Sequence, residues 1–284
     1  MRIAILGLGL IGGSIGLAAR GQPGVETVGY DPDPAALAAA VEIGAVGLAA
    51  GSVEEAVSDA DLVFAAAPVS VLPRVVAAAL AACPDGCVVS DVGSTKRSLL
   101  GALAGLPGAA RFIGGHPLAG SERSGATHAR ADLFDGAIWF LTPAADAQPE
   151  ALERLRALVL ALGAEPVELD AAAHDRLLAR VSHLPHVLAN LLMSAVGGDA
   201  EEQRLAAAGP SFRDATRVAG ASTEIWTDIY LANADMLIAA IDETVAGMQR
   251  VRDLLHDRDR AGLSDWNERV ARQRRRVAAR TAGP

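Results

Sequence analysis

The sequence lacks the features that mark secreted, membrane-spanning and nucleic-acid-binding proteins. It holds only two cysteines, Cys83 and Cys87, which excludes a disulfide scaffold and a four-cysteine zinc site and favours a reducing cytoplasm. No apolar run reaches the roughly 20 residues that cross a bilayer. A net charge of −9 argues against nucleic acid or an anionic membrane surface as a partner.

The first half of the chain alternates strand-like and helix-like segments. The 284 residues suggest about two domains, and aromatic residues make up only 4%, so the core must consist of small aliphatic side chains. Continuous apolar strands between helices are typical of a parallel sheet covered on both faces. We predict an α/β domain over residues 1–146. Its predicted strands are residues 2–6, 26–30, 62–67, 87–92 and 111–115.

The second half is almost entirely helical in pattern. After a linker at residues 143–149, one last strand is predicted at 167–169. An apolar stripe at helical spacing runs through residues 223–255 and predicts one long helix, which needs a broad partner surface. We therefore predict a second, all-helical domain over residues 147–284 that offers a dimer interface.

A glycine-rich turn follows the first predicted strand and opens a helix. Residues 7–12 read G-L-G-L-I-G, which matches the G-x-G-x-x-G fingerprint of a Rossmann dinucleotide-binding domain. Gly7 allows the tight turn, Gly9 lets the backbone approach a pyrophosphate, and Gly12 lets helix and strand pack closely. Strand before and helix after are the context that makes this motif credible.

The acidic residue that accompanies this fingerprint is Asp31, 19 residues beyond Gly12 and close to the expected spacing of about 20. A carboxylate there accepts hydrogen bonds from both ribose hydroxyls and repels a 2′-phosphate. No Arg or Lys lies in residues 30–34, so the predicted cofactor is NAD rather than NADP. The free N–H groups at the helix start, at Leu10 and Ile11, should face the pyrophosphate.

Three predicted strand ends carry unusual residues where open α/β sheets bind ligands. Pro68 and Ser70 follow one strand and are expected to shape the nicotinamide pocket. Ser94 follows the next strand. His116 ends the strand after that, between Gly115 and Pro117, and suits proton transfer near neutral pH.

The helical half contributes two further groups. His183 and His186 are three residues apart and share a helix face; a metal pair, a structural pair beside a helix start and a lining of the substrate cleft are the alternatives. Because no convincing third ligand appears, no metal is predicted. Arg217 lies in a semi-apolar stretch and could bind a carboxylate with its planar fork, or pair within the chain with an acidic neighbour.

Taken together, these segments resemble the prephenate dehydrogenase family, which includes arogenate and cyclohexadienyl dehydrogenases. The glycine motif fits many dehydrogenases, whereas H-P-L-A-G, S-H-L-P-H and T-R-V-A together are specific. The residues after 255 are too few for a fused regulatory domain. The matching segments, in family order, are residues 7–14, 91–96, 115–122, 182–186 and 214–219, followed by Trp226.

The resemblance implies a fold, a partner and a reaction. The fold is an N-terminal Rossmann domain with a C-terminal helical dimerisation domain, in a homodimer. The reaction is NAD-dependent oxidative decarboxylation of prephenate to 4-hydroxyphenylpyruvate in tyrosine biosynthesis. A hydride leaves C4 for the nicotinamide, carbon dioxide leaves C1, and the ring becomes aromatic. Arogenate, with an amino acid side chain in place of the keto acid, is the alternative substrate.

The resemblance also implies residue roles. His116 accepts the hydrogen bond of the C4 hydroxyl, and Ser94 orients this pair. Arg217 binds a substrate carboxylate. His186 and His183 match histidines of the cleft.

Two residues just after His116, Ser121 and Glu122, are also expected at the substrate. Glu122 could pair with the ammonium group of arogenate, or act as a gate with Arg217 or Arg123. Two other classes of protein remain as alternatives. Hydroxyacid-type NAD-linked dehydrogenases rely on a lysine in the second half, yet no lysine follows residue 96. A dinucleotide-sensing scaffold would be expected to lack the catalytic set.

Overall fold

The computed structural model describes residues 1–120, 123, 125–197 and 201–281, and its central feature is one eight-stranded sheet. The strands are β1 Arg2–Leu6, β2 Glu26–Tyr30, β3 Leu48–Ala49, β4 Leu62–Ala65, β5 Val88–Asp91, β6 Phe112–Pro117, β7 Ile138–Pro143 and β8 Glu165–Glu168. Their order is β3-β2-β1-β4-β5-β6-β7-β8. The first six strands are parallel, β7 is antiparallel to β6, and β8 is parallel to β7.

Helices cover both faces of the sheet. Alternate side chains of β1 enter two apolar clusters, with Ile3 and Ile5 on one face and Ala4 and Leu6 on the other. The helices around the sheet are α1 Leu10–Arg20, α2 Pro34–Glu42, α3 Val53–Val57, α4 Leu72–Ala82, α5 Arg97–Leu103 and α6 Pro149–Ala161. None of the described helices is both long and apolar enough to cross a bilayer.

The remaining described chain is helical. The helices are α7 Ala171–Leu178, α8 Leu184–Val196, α9 Glu201–Ala206, α10 Pro210–Thr216, α11 Thr223–Ala232, α12 Ala234–His256 and α13 Arg260–Thr281. A π-helical turn, Ala179–His183, joins α7 to α8 with helical backbone at both junctions. Ser182 therefore lies inside a continuous helical run and does not cap a helix. Such π turns frequently occur at functional sites.

The strand order creates a ligand-binding crevice. β2 and β3 lie on one side of β1, and the chain then returns to add β4, β5 and β6 on the other side. In open α/β sheets the crevice outside the carboxyl ends at such a switch point holds the ligand. The predicted α/β class with a helical second part is confirmed.

Two features of the structure differ from what the sequence predicts. The predicted single helix over residues 223–255 was wrong, because Asn233 leaves the helical conformation (φ −124°) and divides it into α11 and α12. Strand β7 was not predicted. Strand β8 lies beyond residue 146 and pairs with β7, and α6 packs on the same sheet; the boundary between residues 146 and 147 stays a prediction. By spatial proximity the chain forms two compact units, Met1–Leu237 and Ile238–Pro284.

Candidate functional site

The glycine turn between β1 and α1 is tight where it packs and open where a ligand could approach. Gly7 has φ +100°, and a Cβ added there would lie 2.3 Å from the carbonyl oxygen of Ala66. A Cβ at Gly12 would lie 1.9 Å from the carbonyl oxygen of Gly7. At Gly9, by contrast, a Cβ would meet no described atom within 4 Å. The turn thus has the bare backbone that a pyrophosphate requires.

Helix α1 begins beside this open backbone. Its N-cap is Gly9, and no side chain in the described chain caps it. The first N–H groups and the positive end of the helix dipole, at Leu10 and Ile11, are therefore available to an anion.

Asp31 fixes the edge of the turn. It follows β2, and its Oδ2 accepts a hydrogen bond from the backbone N–H of Leu8 at 2.7 Å. Its Oδ1 accepts from the N–H of Asp33 at 2.9 Å. The carboxylate is thus held next to the glycine turn at the carboxyl end of β2, the position of a ribose-binding acid.

A cleft of about 1380 Å³ runs from the glycine turn to helix α11. Besides Asp31, its described lining carries three arginines, Arg74, Arg123 and Arg217. This local positive charge, in a chain of net charge −9, suits anionic ligands. The predicted site residues that line the cleft are Gly7, Gly9, Leu10, Ile11, Gly12, Asp31, Pro68, Ser94, His116 and Arg217.

His116 is the first member of a buried hydrogen-bonded relay. It is 8% exposed, and its Nδ1 lies 2.9 Å from Nε2 of His174 on α7. Nδ1 of His174 lies 2.8 Å from Oδ1 of Asp175. His174 also packs edge-on against Phe140, which is opposite His116 in the β6–β7 pair.

The relay fixes the tautomer of His116. An ionised carboxylate only accepts hydrogen bonds, so Nδ1 of His174 must donate to Asp175. A neutral His174 then has a lone pair on Nε2, and Nδ1 of His116 must donate to it. This leaves the lone pair of His116 on Nε2, the nitrogen not engaged by His174, as in the Asp–His pair of hydrolytic triads.

The electrostatics agree with this assignment. Burial lowers the pKa of His116 well below its usual range, and His174 and Lys96 lower it further. Burial also lowers the pKa of His174. Burial opposes ionisation of Asp175, but hydrogen bonds from His174 and from the backbone of Arg97 and Lys96 bring its pKa below the usual value. At neutral pH the relay is therefore a carboxylate with two neutral imidazoles.

Asp175 also secures the loop that carries Ser94. Its two carboxylate oxygens accept the backbone N–H groups of Lys96 at 2.8 Å and Arg97 at 2.9 Å. Ser94 lies in the cleft lining two residues before Lys96. One carboxylate thus connects the Ser94 loop with the histidine relay.

The histidines predicted in the helical half lie in the layer that packs against Trp226. His186 stacks on Trp226 with ring centres 3.7 Å apart and planes 2° from parallel, and its Nδ1 contacts the Tyr230 hydroxyl. His183 meets Trp226 edge-on at 6.1 Å. Trp226 lines the cleft, whereas the two histidines are 1% and 4% exposed, His183 less than His186. Burial lowers the pKa of His183 to about 4 and also lowers that of His186.

The other predicted residues have different outcomes. Arg217 begins a short 3₁₀ turn and lines the cleft. Ser70 is exposed and is not part of the described cleft lining; its hydroxyl donates to Asp228 of α11. Ser121 and Glu122 lie outside the described residues. The described chain contains no cluster of three or more metal-ligating side chains.

Sequence reasoning missed two members of this site, His174 and Asp175. They lie in an alanine-rich helix start, A-A-A-H-D, where a lone histidine beside an aspartate is a weak signal. Their importance comes from a contact with His116, which is 58 residues away along the chain.

The fold and the cleft define a class: a Rossmann-type dinucleotide-binding protein with a buried histidine relay equipped for proton transfer. Sequence models of two domain families match the chain. Residues 15–168 match "Prephenate dehydrogenase, nucleotide-binding domain", and residues 170–268 match "Prephenate dehydrogenase, dimerization domain". The chain belongs to the prephenate dehydrogenase family.

Individual relatives agree with this assignment. The chain is 34% identical over 268 residues to a prephenate dehydrogenase of Bacillus subtilis, covering 92% of this chain and 72% of that one. It is 34% identical to a cyclohexadienyl dehydrogenase of Zymomonas mobilis, covering 90% and 89%. A crystal structure of prephenate dehydrogenase from A. aeolicus in complex with hydroxyphenyl propionate and NAD⁺ superposes with a TM-score of 0.91, 26% identity and 98% coverage of both chains.

Proposed function

We propose that this chain is an NAD-dependent prephenate dehydrogenase that converts prephenate to 4-hydroxyphenylpyruvate, with carbon dioxide and NADH as the other products. The observation that carries the proposal is the His116–His174–Asp175 relay, whose His116, at the carboxyl end of β6, lines the same cleft as the glycine turn. Family membership supports the same reaction, because named relatives act as prephenate, cyclohexadienyl or arogenate dehydrogenases.

The residues at the glycine turn fit NAD. Gly9 exposes backbone to a pyrophosphate, the uncapped start of α1 offers N–H groups, and Asp31 is positioned for the ribose hydroxyls. Pro68 belongs to the cleft lining, and we propose that it borders the nicotinamide together with Ser70. When bound, NAD⁺ accepts the hydride that leaves C4 of the substrate ring.

His116 handles the proton in this proposal. Its Nε2 lone pair accepts the hydrogen bond and the proton of the C4 hydroxyl as the C4–H bond breaks. The imidazolium that forms is stabilised through His174 by the Asp175 carboxylate. The electron pair of the bond between C1 and the departing carbon dioxide enters the ring, and the proton returns to the phenol oxygen of the product. Ser94, in the same cleft lining, orients the hydroxyl and His116.

Arg217 supplies the cation for a substrate carboxylate. Arg217 belongs to the cleft lining, and a planar guanidinium can bind a carboxylate through two parallel hydrogen bonds. His183 and His186 are proposed to support the substrate from behind Trp226, and Ser121 and Glu122 to complete the substrate side.

We also propose a cytoplasmic homodimer. Support for the dimer is the family description of residues 170–268 as a dimerization domain. Exposed apolar side chains along α12 add to it. Support for the compartment is that Cys83 and Cys87 are free thiols. The exposed apolar residues of α12 are Ile238, Val245, Met248 and Leu255.

NADH formation by the purified protein tests the proposal, with prephenate and arogenate compared side by side. Turnover with prephenate well above that with arogenate is the expected result. Preference for arogenate would replace the keto acid with the amino acid as substrate, within the same family. No NADH formation with either substrate, while NAD still binds, would overturn the proposed function.

A further inference from the structure

Lys96 is the only lysine in the chain, which otherwise uses arginine for its side-chain cations. It is 0% exposed and is not part of the described cleft lining. Its ammonium group donates to Oδ2 of Asp91 and, at 2.7 Å, to the carbonyl oxygen of Gly115. A fully buried ammonium is costly unless it is paired and hydrogen-bonded, so a lone buried lysine here calls for a function.

Asp91, also 0% exposed, binds two backbone segments at once. Its Oδ2 accepts the N–H of Gly93 at 2.7 Å, and its Oδ1 accepts the N–H of Gly115 at 3.0 Å. The residue after Gly93 is Ser94, and the residue after Gly115 is His116. One carboxylate therefore connects the two backbone positions that precede the proposed catalytic side chains.

Beyond the end of the β5–β6 pairing, Lys96 and Asp91 take the place of the strand-to-strand hydrogen bonds. The backbone pairing of β5 with β6 ends at Ser90 and Ile113, so the peptide groups of Gly115 lie beyond the ladder. Asp91 binds the N–H of Gly115 and Lys96 binds its carbonyl. Both backbone polar groups of Gly115 are thus satisfied by side chains beyond the last residue pair of β5 and β6.

The two glycines before His116 lie against the surroundings of the ion pair with no room for a side chain. A Cβ at Gly114 would lie 2.2 Å from Oγ1 of Thr142 and 3.1 Å from Cδ of Lys96, and a Cβ at Gly115 would lie 2.4 Å from the carbonyl oxygen of Asp91. A compact ammonium on a slender stem suits so close a setting, whereas the wide planar guanidinium of arginine differs in shape and donor geometry.

We propose that Lys96 and Asp91 are positioning residues, which act through the peptides of Gly93 and Gly115 to set Ser94 and His116 relative to each other. The inference rests on the proposed function, since the two side chains it positions are those of the dehydrogenase reaction. Lys96 touches neither substrate nor cofactor in this account. A misplacement of about 1 Å at a reacting group can reduce the rate on the order of 10²-fold.

The test is a double variant, Lys96→Met with Asp91→Asn, which removes both charges and so leaves neither buried and unpaired. We expect kcat to fall on the order of 10²-fold with little change in the KM for NAD, because the glycine turn is untouched. We also expect the acidic limb of the kcat/KM profile to move to higher pH, because Lys96 lowers the pKa of His116. The other titratable groups around His116 are His174, Asp175, His183 and Asp91, the last of which accepts the N–H of the preceding Gly115.

Arg111→Met is the matched control. Arg111 is a second buried cation, directly before β6, and it donates to the carbonyls of Leu80 at 3.0 Å and Pro84 at 2.7 Å. Its loss should lower the melting temperature but leave kcat and the pH profile unchanged. A double variant at Lys96 and Asp91 that behaves in the same way would reduce the pair to a purely structural role and overturn the inference.

The wild-type chain offers a measurement that needs no variant. Its amines are Lys96 and the N-terminus of Met1, which is exposed. An amine-acylating reagent should modify Met1 rapidly and spare Lys96 until the protein unfolds, with or without substrate. Modification of Lys96 in the native enzyme that prephenate prevents would make it a substrate ligand and contradict the inference. Wild-type turnover, measured first, separates failure of this inference from failure of the proposed function.

Discussion

Replacing His174 with phenylalanine removes the acceptor for Nδ1–H of His116 while retaining a ring that can pack on Phe140. The lost bond is 2.9 Å long and buried. A buried donor left without its partner costs about 1–3 kcal/mol. If that energy appears as lost stabilisation of the correct His116 tautomer, kcat should fall about 5- to 150-fold. The KM for prephenate should change little, since Arg217 is unaffected.

His174→Gln is the partner variant, because the end of a glutamine side chain can offer an acceptor toward Nδ1 of His116 but no second ring nitrogen to Asp175. We expect it to retain more turnover than His174→Phe. Both are measured as initial rates of NADH formation at saturating prephenate and NAD, with thermal unfolding as a check on folding. Equal losses in the two variants, or wild-type turnover in His174→Phe, would refute the relay.

Four further predictions concern the cofactor and substrate ends of the cleft. His116 must be neutral to accept a proton, and burial lowers its pKa. We therefore expect kcat/KM to stay level as the pH falls to the ordinary histidine value of 6.5 and to decrease only below it. A decrease in kcat/KM that begins at or above pH 6.5 would contradict the burial argument. Arg217→Gln should raise the KM for prephenate about 10- to 150-fold, the value of one charge-assisted hydrogen bond, and an unchanged KM would assign the carboxylate to another cation. Asp31→Ser should shift the ratio of kcat/KM for NAD and NADP toward NADP; a constant ratio would reject the ribose assignment. Gly12→Ala should weaken NAD binding and lower the melting temperature, since its Cβ would lie 1.9 Å from the carbonyl oxygen of Gly7, and calorimetric titration with NAD checks this.

The strands and helices predicted well are those that a few consecutive residues of the sequence define. β1 and β2 have the predicted bounds, residues 2–6 and 26–30, because the glycine turn closes the first and Asp31 follows the second. β7 escaped prediction although it reads I-W-F-L-T-P. Its antiparallel pairing with β6 is decided by packing against a strand already formed, not by its own pattern.

The break between α11 and α12 and the histidine relay depend on contacts distant in sequence. The apolar stripe continues across Asn233, so periodicity alone predicts one helix. In the structure, Nδ2 of Asn233 donates to the carbonyl oxygen of Asp175 at 2.8 Å, a contact across 58 residues that spacing cannot reveal. The cofactor end of the site could be predicted because its residues follow one another in a motif, whereas His174 gains its role only where α7 meets β6.

In the proposed reaction His116 takes the proton while the glycine turn holds NAD. The variant His116→Asn separates these two roles, with NAD affinity measured by calorimetry and turnover measured as NADH formation from prephenate. We predict wild-type NAD affinity and a loss of kcat of about 10²- to 10⁴-fold, the usual range for a general base. Wild-type turnover in this variant would remove His116 from the mechanism and contradict the account.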